Sequence, residues 1–138
     1  MTLSVDTNVF IELIRGRNPA VRERFRRALA AAEPLVASLI VEHELLYGAE
    51  THPRAAAQRE SVGLLLAQVT VQPFDAHDIA AAAQIRAWVR PQGLSIGAYD
   101  ALIAGQALAR NWTVVTANMR DFARIDRLNV IDWAQSAD

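Results

Sequence analysis

Four acidic residues lie far apart in the sequence but at points that folding could bring together: Asp6, Glu44, Asp100 and Asp121. Carboxylate oxygens are the ligands that Mg²⁺ and Mn²⁺ prefer, and an oxygen-only set does not suit zinc. A divalent cation held in this way lowers the pKa of a bound water molecule and offsets charge on a phosphodiester under attack. The four residue types therefore indicate metal-assisted hydrolysis, in which a carboxylate orients the water or takes its proton. The alternative is that each acid is a helix cap or a paired surface charge.

Asp6 follows a short apolar stretch and precedes a helical pattern. Leu3 and Val5 have strand propensity, and Thr7 or Asn8 would cap the helix that follows. Ligands of open α/β sheets bind at the carboxyl ends of the strands, so Asp6 is placed as a ligand or catalyst.

Glu44 is predicted to point toward the interior. At helical spacing it shares a face with Ile40, Val41 and Tyr47, whereas Glu42 faces elsewhere. An unpaired carboxylate in that position is costly, so it needs a cation beside it. The chain has no Lys, which leaves an Arg or a metal ion.

Asp100 is predicted to lie in the first turn of a helix and to point inward as well. Ile103, Ala104 and Ala107 follow it on the same helical face. The positive end of the helix should favour its ionised form. Two inward carboxylates of this kind repel each other unless a cation lies between them.

Strands and helices are predicted to alternate along the rest of the chain. Further strands are predicted at residues 35–37, 69–71, 112–116 and 129–131. Further helices are predicted from Pro19 to about residue 32, over 39–48, from Pro53, from Asp75 to Pro91 and from 98 to about 110, with a polar loop at 118–122. This alternation predicts an α/β fold with a mainly parallel central sheet of about four to five strands, sandwiched by helices.

Length and composition narrow the class of protein. The 138 residues are expected to form a single domain, residues 1–138, whose core is large enough to need no stabilising cross-link. The absence of Cys excludes disulfides, thiolate zinc sites and a Cys nucleophile. No signal peptide or membrane span is indicated, so a soluble, cytoplasmic protein is expected.

The basic residues are all Arg and are unevenly distributed. The net charge is only -1, but six of the fourteen arginines crowd one stretch: Arg15, Arg17, Arg22, Arg24, Arg26 and Arg27. Arg binds phosphate as a planar fork, so this stretch could hold nucleic acid. Alternatively it is a solvated helix face on which Glu23 pairs with Arg27.

The motifs around the four acids, taken together, resemble a PIN domain of the VapC toxin type. They run in order from residue 3 to about residue 133: LSVDTN at 3–8, ELLYGA at 44–49, GAYDALIA at 97–104, VTANMRDF at 115–122 and DW at 132–133. The resemblance implies a PIN-like fold and a Mg²⁺-dependent endoribonuclease, in which Mn²⁺ may substitute, that often cuts tRNA and so inhibits translation. It also implies a homodimer and a heteromeric complex with a cognate antitoxin laid across the active groove.

The same resemblance assigns roles to single residues. Asp6, Glu44, Asp100 and Asp121 would be the metal-binding and catalytic acids, with Asn8, Thr116 and Asn118 lining the site. Position 118 is Asn, so either Asp121 supplies the fourth carboxylate or three acids hold the metal. RNA contacts are expected among five arginines: Arg15, Arg17, Arg22, Arg86 and Arg120.

Other interpretations fit the residues less well. A phosphatase of the haloacid dehalogenase type needs an Asp where this chain has Asn8, and also a Lys. A dinucleotide-binding module needs a Gly-rich loop after the first strand. A PIN fold kept as a catalytically silent RNA- or protein-binding module is the serious alternative. Tyr47 and Trp88 are predicted to be core residues, and three histidines are predicted to be surface or partner contacts: His43, His52 and His77.

Overall fold

The computed structural model describes residues 1–135 and has a five-stranded parallel sheet at its centre. The strands are β1 (Leu3–Val5), β2 (Leu35–Ser38), β3 (Thr70–Gln72), β4 (Thr113–Val115) and β5 (Asn129–Ile131). Their spatial order is β3-β2-β1-β4-β5, and all four pairings are parallel. The predicted α/β fold with a mainly parallel sheet is confirmed.

Helices connect the strands. They are α1 (Thr7–Arg15), α2 (Pro19–Ala30), α3 (Leu39–Glu50), α4 (Ala55–Leu66), α5 (Ala76–Val89), α6 (Ala98–Arg110) and α7 (Met119–Phe122), with a 3₁₀ turn at Arg90–Gln92. No helix within residues 1–135 is both long enough and apolar enough to cross a membrane.

The three inner strands are buried along their whole length, whereas the edge strands β3 and β5 are partly exposed. Strands covered on both faces read as continuous apolar runs rather than as alternating patterns. The chain order reverses at β1, which pairs with β2 on one side and β4 on the other. Because ligands of such sheets bind where the order reverses, the carboxyl ends of β1 and β4 are the expected position of a site.

Several predicted boundaries were wrong by a few residues. Asp6, and not Thr7 or Asn8, caps α1, because its side chain accepts the Thr7 backbone N–H. Helix α3 continues two residues past Gly48, since a Gly inside a helix weakens it without ending it.

Three further elements also differ from the prediction. The predicted loop at 118–122 contains the short helix α7. Helix α2 ends at Ala30, and α4 begins at Ala55 rather than at Pro53.

The prediction that Tyr47 and Trp88 belong to the core was also wrong. Tyr47 is 66% exposed and Trp88 is 42% exposed. Helical spacing places a side chain on a face, but it does not say where the neighbouring element that covers this face ends.

Helices α5 and α6 pack closely and are joined by a charged cluster. A Cβ added to Gly105 of α6 would lie 2.5 Å from the backbone nitrogen of Ala82 in α5, so only Gly permits this approach. At the far end of α6, Arg110 donates to both carboxylate oxygens of Asp78, at 3.0 and 2.9 Å, and to Asp75 at 3.3 Å. This packing fixes the direction of α6, whose first turn carries Asp100.

Candidate active site

Asp6 lies at the carboxyl end of β1, where the backbone still pairs with β4. Its N–H donates to the carbonyl of Val115 at 2.9 Å. One carboxylate oxygen accepts the Thr7 N–H at 2.8 Å, and the other accepts the Thr116 hydroxyl at 2.7 Å and the Asn8 amide at 3.2 Å. The carboxylate is therefore buried and fixed in one orientation.

Glu44 approaches Asp6 from α3. One of its carboxylate oxygens accepts the Thr7 hydroxyl at 2.8 Å. Thr7 thus joins two of the acids, through its backbone N–H to Asp6 and through its hydroxyl to Glu44. The inward direction predicted for Glu44 agrees with this contact.

Asp100 and Asp121 meet at the side chain of Asn118. The Asn118 amide donates to Asp121 at 3.0 Å and to Asp100 at 3.4 Å. Its backbone N–H donates to the Thr116 hydroxyl at 2.9 Å, and Thr116 in turn donates to Asp6. Asn118 therefore lies between the acids as a hydrogen-bond donor, while Asp121 supplies the carboxylate of this segment.

Asn8 completes the lining of the site. Its side-chain oxygen accepts the N–H of Ala117 at 3.1 Å, and its amide donates to Asp6 and to Thr116. The structure thus brings together the four acids and all three residues predicted to line the site.

Burial and the charges of neighbouring acids raise the pKa values of Asp6 and Asp100. Burial raises the pKa of Asp100 to about 6, and the charges of Asp6, Glu44 and Asp121 add to the effect. Burial, and then the charge of Glu44, raise the pKa of Asp6 against the lowering effect of its hydrogen bonds. The helix end predicted to favour ionisation of Asp100 is outweighed by desolvation and by these like charges.

The donor chemistry fits a hard divalent cation. All four groups offer oxygen, and their repulsion is relieved by a positive charge placed between them. As the side chains stand, no three His, Cys, Asp or Glu residues within the described part of the chain lie close enough to ligate one ion. Ligation by three or four of these carboxylates at once would need them closer together than they stand here.

A family model described as a PIN domain matches residues 3–128 of this chain. The chain belongs to the PIN-domain family. It is 33% identical over 130 residues to the tRNA(fMet)-specific endonuclease VapC of Shigella flexneri, which covers 94% of this chain and 96% of that protein. It is 30% identical over 129 residues to the Ribonuclease VapC2 of Haemophilus influenzae, covering 94% of this chain and 96% of the relative.

Solved structures agree with the family. The DNA-bound VapBC of Salmonella typhimurium superposes on this PIN domain with a TM-score of 0.88 at 32% identity, over 96% of this chain and 98% of that chain. VapBC2 of Rickettsia felis, bound to a DNA fragment from its promoter, superposes with a TM-score of 0.89 at 26% identity. The match covers 96% of this chain and 99% of that chain. The PIN domain is of the VapC ribonuclease-toxin type.

The five arginines predicted to contact RNA are spread over this PIN domain. Arg120 lines a cleft together with Asn118 and Asp121. Arg15 lines another cleft that also contains Asn8. The remaining three lie elsewhere: Arg17 beside the helices α1, α3 and α4, Arg22 against Gly16, and Arg86 exposed on α5.

Sequence reasoning missed four residues around the site. Thr7 was considered only as a cap, although its hydroxyl contacts Glu44. Arg124 forms an ion pair with Asp121 at 3.4 Å and also donates to the carbonyl of Ser95. The i, i+3 spacing of 121 and 124 was the signal that could have identified this pair.

His43 and Tyr99 are the other two residues around the site that sequence reasoning missed. His43 was predicted to be a surface or partner contact, and its exposed side chain lines one cleft with Glu44 and Tyr99. The sequence did not indicate this cleft, because Tyr99 comes to α3 from a separate helix, α6.

Proposed function

We propose that this chain is a Mg²⁺-dependent, site-specific endoribonuclease that hydrolyses phosphodiester bonds in RNA. The observation that carries the proposal is the position of four carboxylates, from four separate elements, around Asp100, whose pKa is raised to about 6 by burial and then by the charges of the other three. A fold keeps such an arrangement at a cost in stability, and strongly shifted groups of this kind concentrate at functional sites.

In this proposal each residue has a separate task. Asp6, Glu44, Asp100 and Asp121 would hold the cation, which when bound would supply an activated water and offset charge on the phosphorus. Thr7 and Thr116 fix the directions of Glu44 and Asp6 through their hydroxyls. Asn118 donates to both Asp100 and Asp121 and so holds these two carboxylates beside each other.

The substrate and partner follow from the relatives. The Shigella flexneri relative is named a tRNA(fMet)-specific endonuclease, which supports tRNA as the substrate class of this chain. The Salmonella and Rickettsia structures are VapBC complexes, which supports a cognate antitoxin that would neutralise the toxin. A homodimer within the heteromeric complex stays a prediction from the resemblance. Cleavage of tRNA in the cytoplasm would inhibit translation.

The test is incubation of the purified, antitoxin-free protein with total cellular RNA, with and without Mg²⁺ or Mn²⁺, followed by end sequencing of the products. We expect discrete cuts that require the metal. Glu44→Gln should lower their rate by roughly 100-fold or more, because it removes a metal ligand. Glu42→Gln, two positions away on α3, is the matched control and should cut like the unaltered protein.

Asp6→Asn and Asp100→Asn extend the same experiment to β1 and α6. Both should abolish the cuts while the proteins remain folded by circular dichroism. Cuts that persist in both variants, or a metal-loaded protein that cuts no RNA, would contradict the proposal and favour the catalytically silent binding module.

A further inference from the structure

Aromatic side chains are exposed at the edge of the carboxylate site. Tyr47 is 66% exposed and Tyr99 is 43% exposed. With His43 they line a cleft of about 380 Å³, whose remaining walls are Thr7, Ile11 and Glu44. This aromatic cleft thus shares Thr7 and Glu44 with the candidate active site.

The aromatic cleft is built from two separate helices. His43 and Tyr47 belong to α3, and Tyr99 belongs to α6. The rings of His43 and Tyr99 meet edge to face, with centroids 5.8 Å apart and planes at 89°. The Tyr99 hydroxyl lies 3.5 Å from Nε2 of His43. The contact holds Tyr99 against α3 next to Asp100, although its ring remains open to solvent.

The opposite side of the site is polar and basic. A second cleft, the arginine cleft, is lined by Ser95, Asn118, Arg120, Asp121 and Arg124, among others. Helix α3 follows β2 and α7 follows β4, and these two strands flank β1 on opposite sides. The four carboxylates therefore lie between the aromatic cleft and the arginine cleft.

This arrangement matches the chemistry of a single RNA strand. Each unpaired base presents a face that stacks on Tyr or His, and each phosphate is bound by Arg. Bases inside a duplex are stacked on each other and cannot enter a cleft of this kind. Grooves that hold single strands combine these same two features, stacking rings and positive charge along the backbone.

We infer that the aromatic cleft of His43, Tyr47 and Tyr99 stacks an unpaired base beside the scissile phosphate, while Arg120 and Arg124 hold the backbone on the other side. The inference rests on the proposed ribonuclease function and narrows its substrate to unpaired RNA, a loop or a single strand. It gives Tyr99 a role in binding substrate and leaves the hydrolysis to the carboxylates.

The binding test uses a short single-stranded RNA carrying a fluorescent adenine analogue whose emission falls on stacking. The same strand annealed to its complement serves as the duplex probe. All proteins carry Asp100→Asn so that the RNA stays intact. We expect quenching and binding with the single strand only. Adding Tyr99→Ala should weaken binding roughly 5- to 100-fold, the range found when one stacking ring is removed.

The control variants separate stacking from other effects. Tyr99→Phe keeps the ring and should bind like its parent. Trp88→Ala removes an exposed aromatic ring on α5, outside the aromatic cleft, and should change nothing. In the active protein, Tyr99→Ala should raise KM for a single-stranded substrate with little change in kcat. Because Tyr99 is 43% exposed and lies outside the core, its variants should remain folded, which thermal unfolding checks.

The outcomes distinguish this inference from the function on which it rests. Metal-dependent cutting with unchanged binding and KM in Tyr99→Ala would overturn the inference alone. Equal binding of single strand and duplex would do the same. If Tyr99→Ala disturbs only antitoxin binding, the aromatic cleft is a protein contact and the inference is wrong. Stacking without any cutting by the active protein would instead overturn the proposed function.

Discussion

The two ends of α6 hold carboxylates in opposite electrostatic states. At its carboxyl end, Arg110 pairs with Asp78 and Asp75. At its amino end, Asp100 faces three other acids and receives one hydrogen bond, at 3.4 Å from Asn118. The carboxylates of the first group are paired with a cation of the chain, whereas Asp100 is surrounded by like charges.

The pKa values of Asp78 and Asp100 reflect this difference between the two ends of α6. Burial works against ionisation of Asp78, but the hydrogen bonds from Arg110 and the Asp75 backbone outweigh it and lower its pKa. Burial and like charge both act in the same direction on Asp100 and raise its pKa to about 6. Among residues 1–135, the one recorded ion pair of the four site acids joins Arg124 to Asp121. Pairing with Arg110 thus stabilises the charge of Asp78 at one end of α6, whereas like charges act against the charge of Asp100 at the other.

The largest effect on the free energy of unfolding is expected from removing the Arg110–Asp78 ion pair at the carboxyl end of α6. Arg110→Met keeps the apolar stem but leaves Asp78, which is 1% exposed, without its partner. We expect a loss of about 2–4 kcal/mol in the free energy of unfolding, measured in urea, because a buried charge is then unpaired. Arg59→Met is the matched control, since the Arg59–Glu50 pair lies in solvent and should contribute less than about 1 kcal/mol.

A second substitution sharpens that result. Asp78→Asn added to Arg110→Met should recover part of the loss, because it removes the unpaired charge while keeping an acceptor for the Asp75 N–H. A loss below about 1 kcal/mol in Arg110→Met would show that the two ends of α6 do not differ as described.

A substitution at the amino end of α6 should change the stability of the protein in the opposite direction. Asp100→Asn removes a repelled charge, so the metal-free protein should become more stable at pH 7, by about 1–2 kcal/mol after allowing for solvent screening. The folded pKa of Asp100, about 6, lies above its ordinary value of 3.8. Its stabilising contribution is therefore complete below about pH 4 and is lost as the pH rises through 6.

The advantage of Asp100→Asn over the unaltered protein should consequently shrink as the pH falls from 7 toward 4. Asp78 behaves in the reverse sense, because its pKa is lowered: its contribution is present above the ordinary Asp value and is lost only in stronger acid. Thermal unfolding of both proteins across this pH range measures the difference. An equal or lower stability of Asp100→Asn at pH 7 would contradict the repulsion.

The sequence was sufficient for the alternation of strands and helices and for the order of the acids. Apolar runs and breakers predicted strands close to all five of those observed, including β5 at its observed bounds. Helical periodicity separated Glu44 from Glu42, because one helix alone determines which face each side chain occupies. These are local properties, fixed within a few residues of the position in question.

Contacts between separate helices and strands could not be predicted from the sequence. The Thr7 hydroxyl reaches Glu44, 37 residues away, only because β1 and β2 are neighbours in the sheet. Tyr47 and Trp88 follow apolar helical spacing, yet 66% and 42% of their surfaces stay exposed, because the neighbouring elements cover them only in part. The ion pair at the carboxyl end of α6 was also missed, because Asp78 and Arg110 are separated by 32 residues and meet only when α5 packs on α6.

The most direct test of the difference between the two ends of α6 is a titration of the metal-free protein with Mn²⁺, followed by electron paramagnetic resonance of the free ion. The unaltered protein should bind Mn²⁺ saturably, and Asp100→Asn and Glu44→Gln should lose most of that binding. Glu42→Gln should bind like the unaltered protein. Undiminished binding of Mn²⁺ by Asp100→Asn and Glu44→Gln would contradict the assignment of the four acids as a metal site.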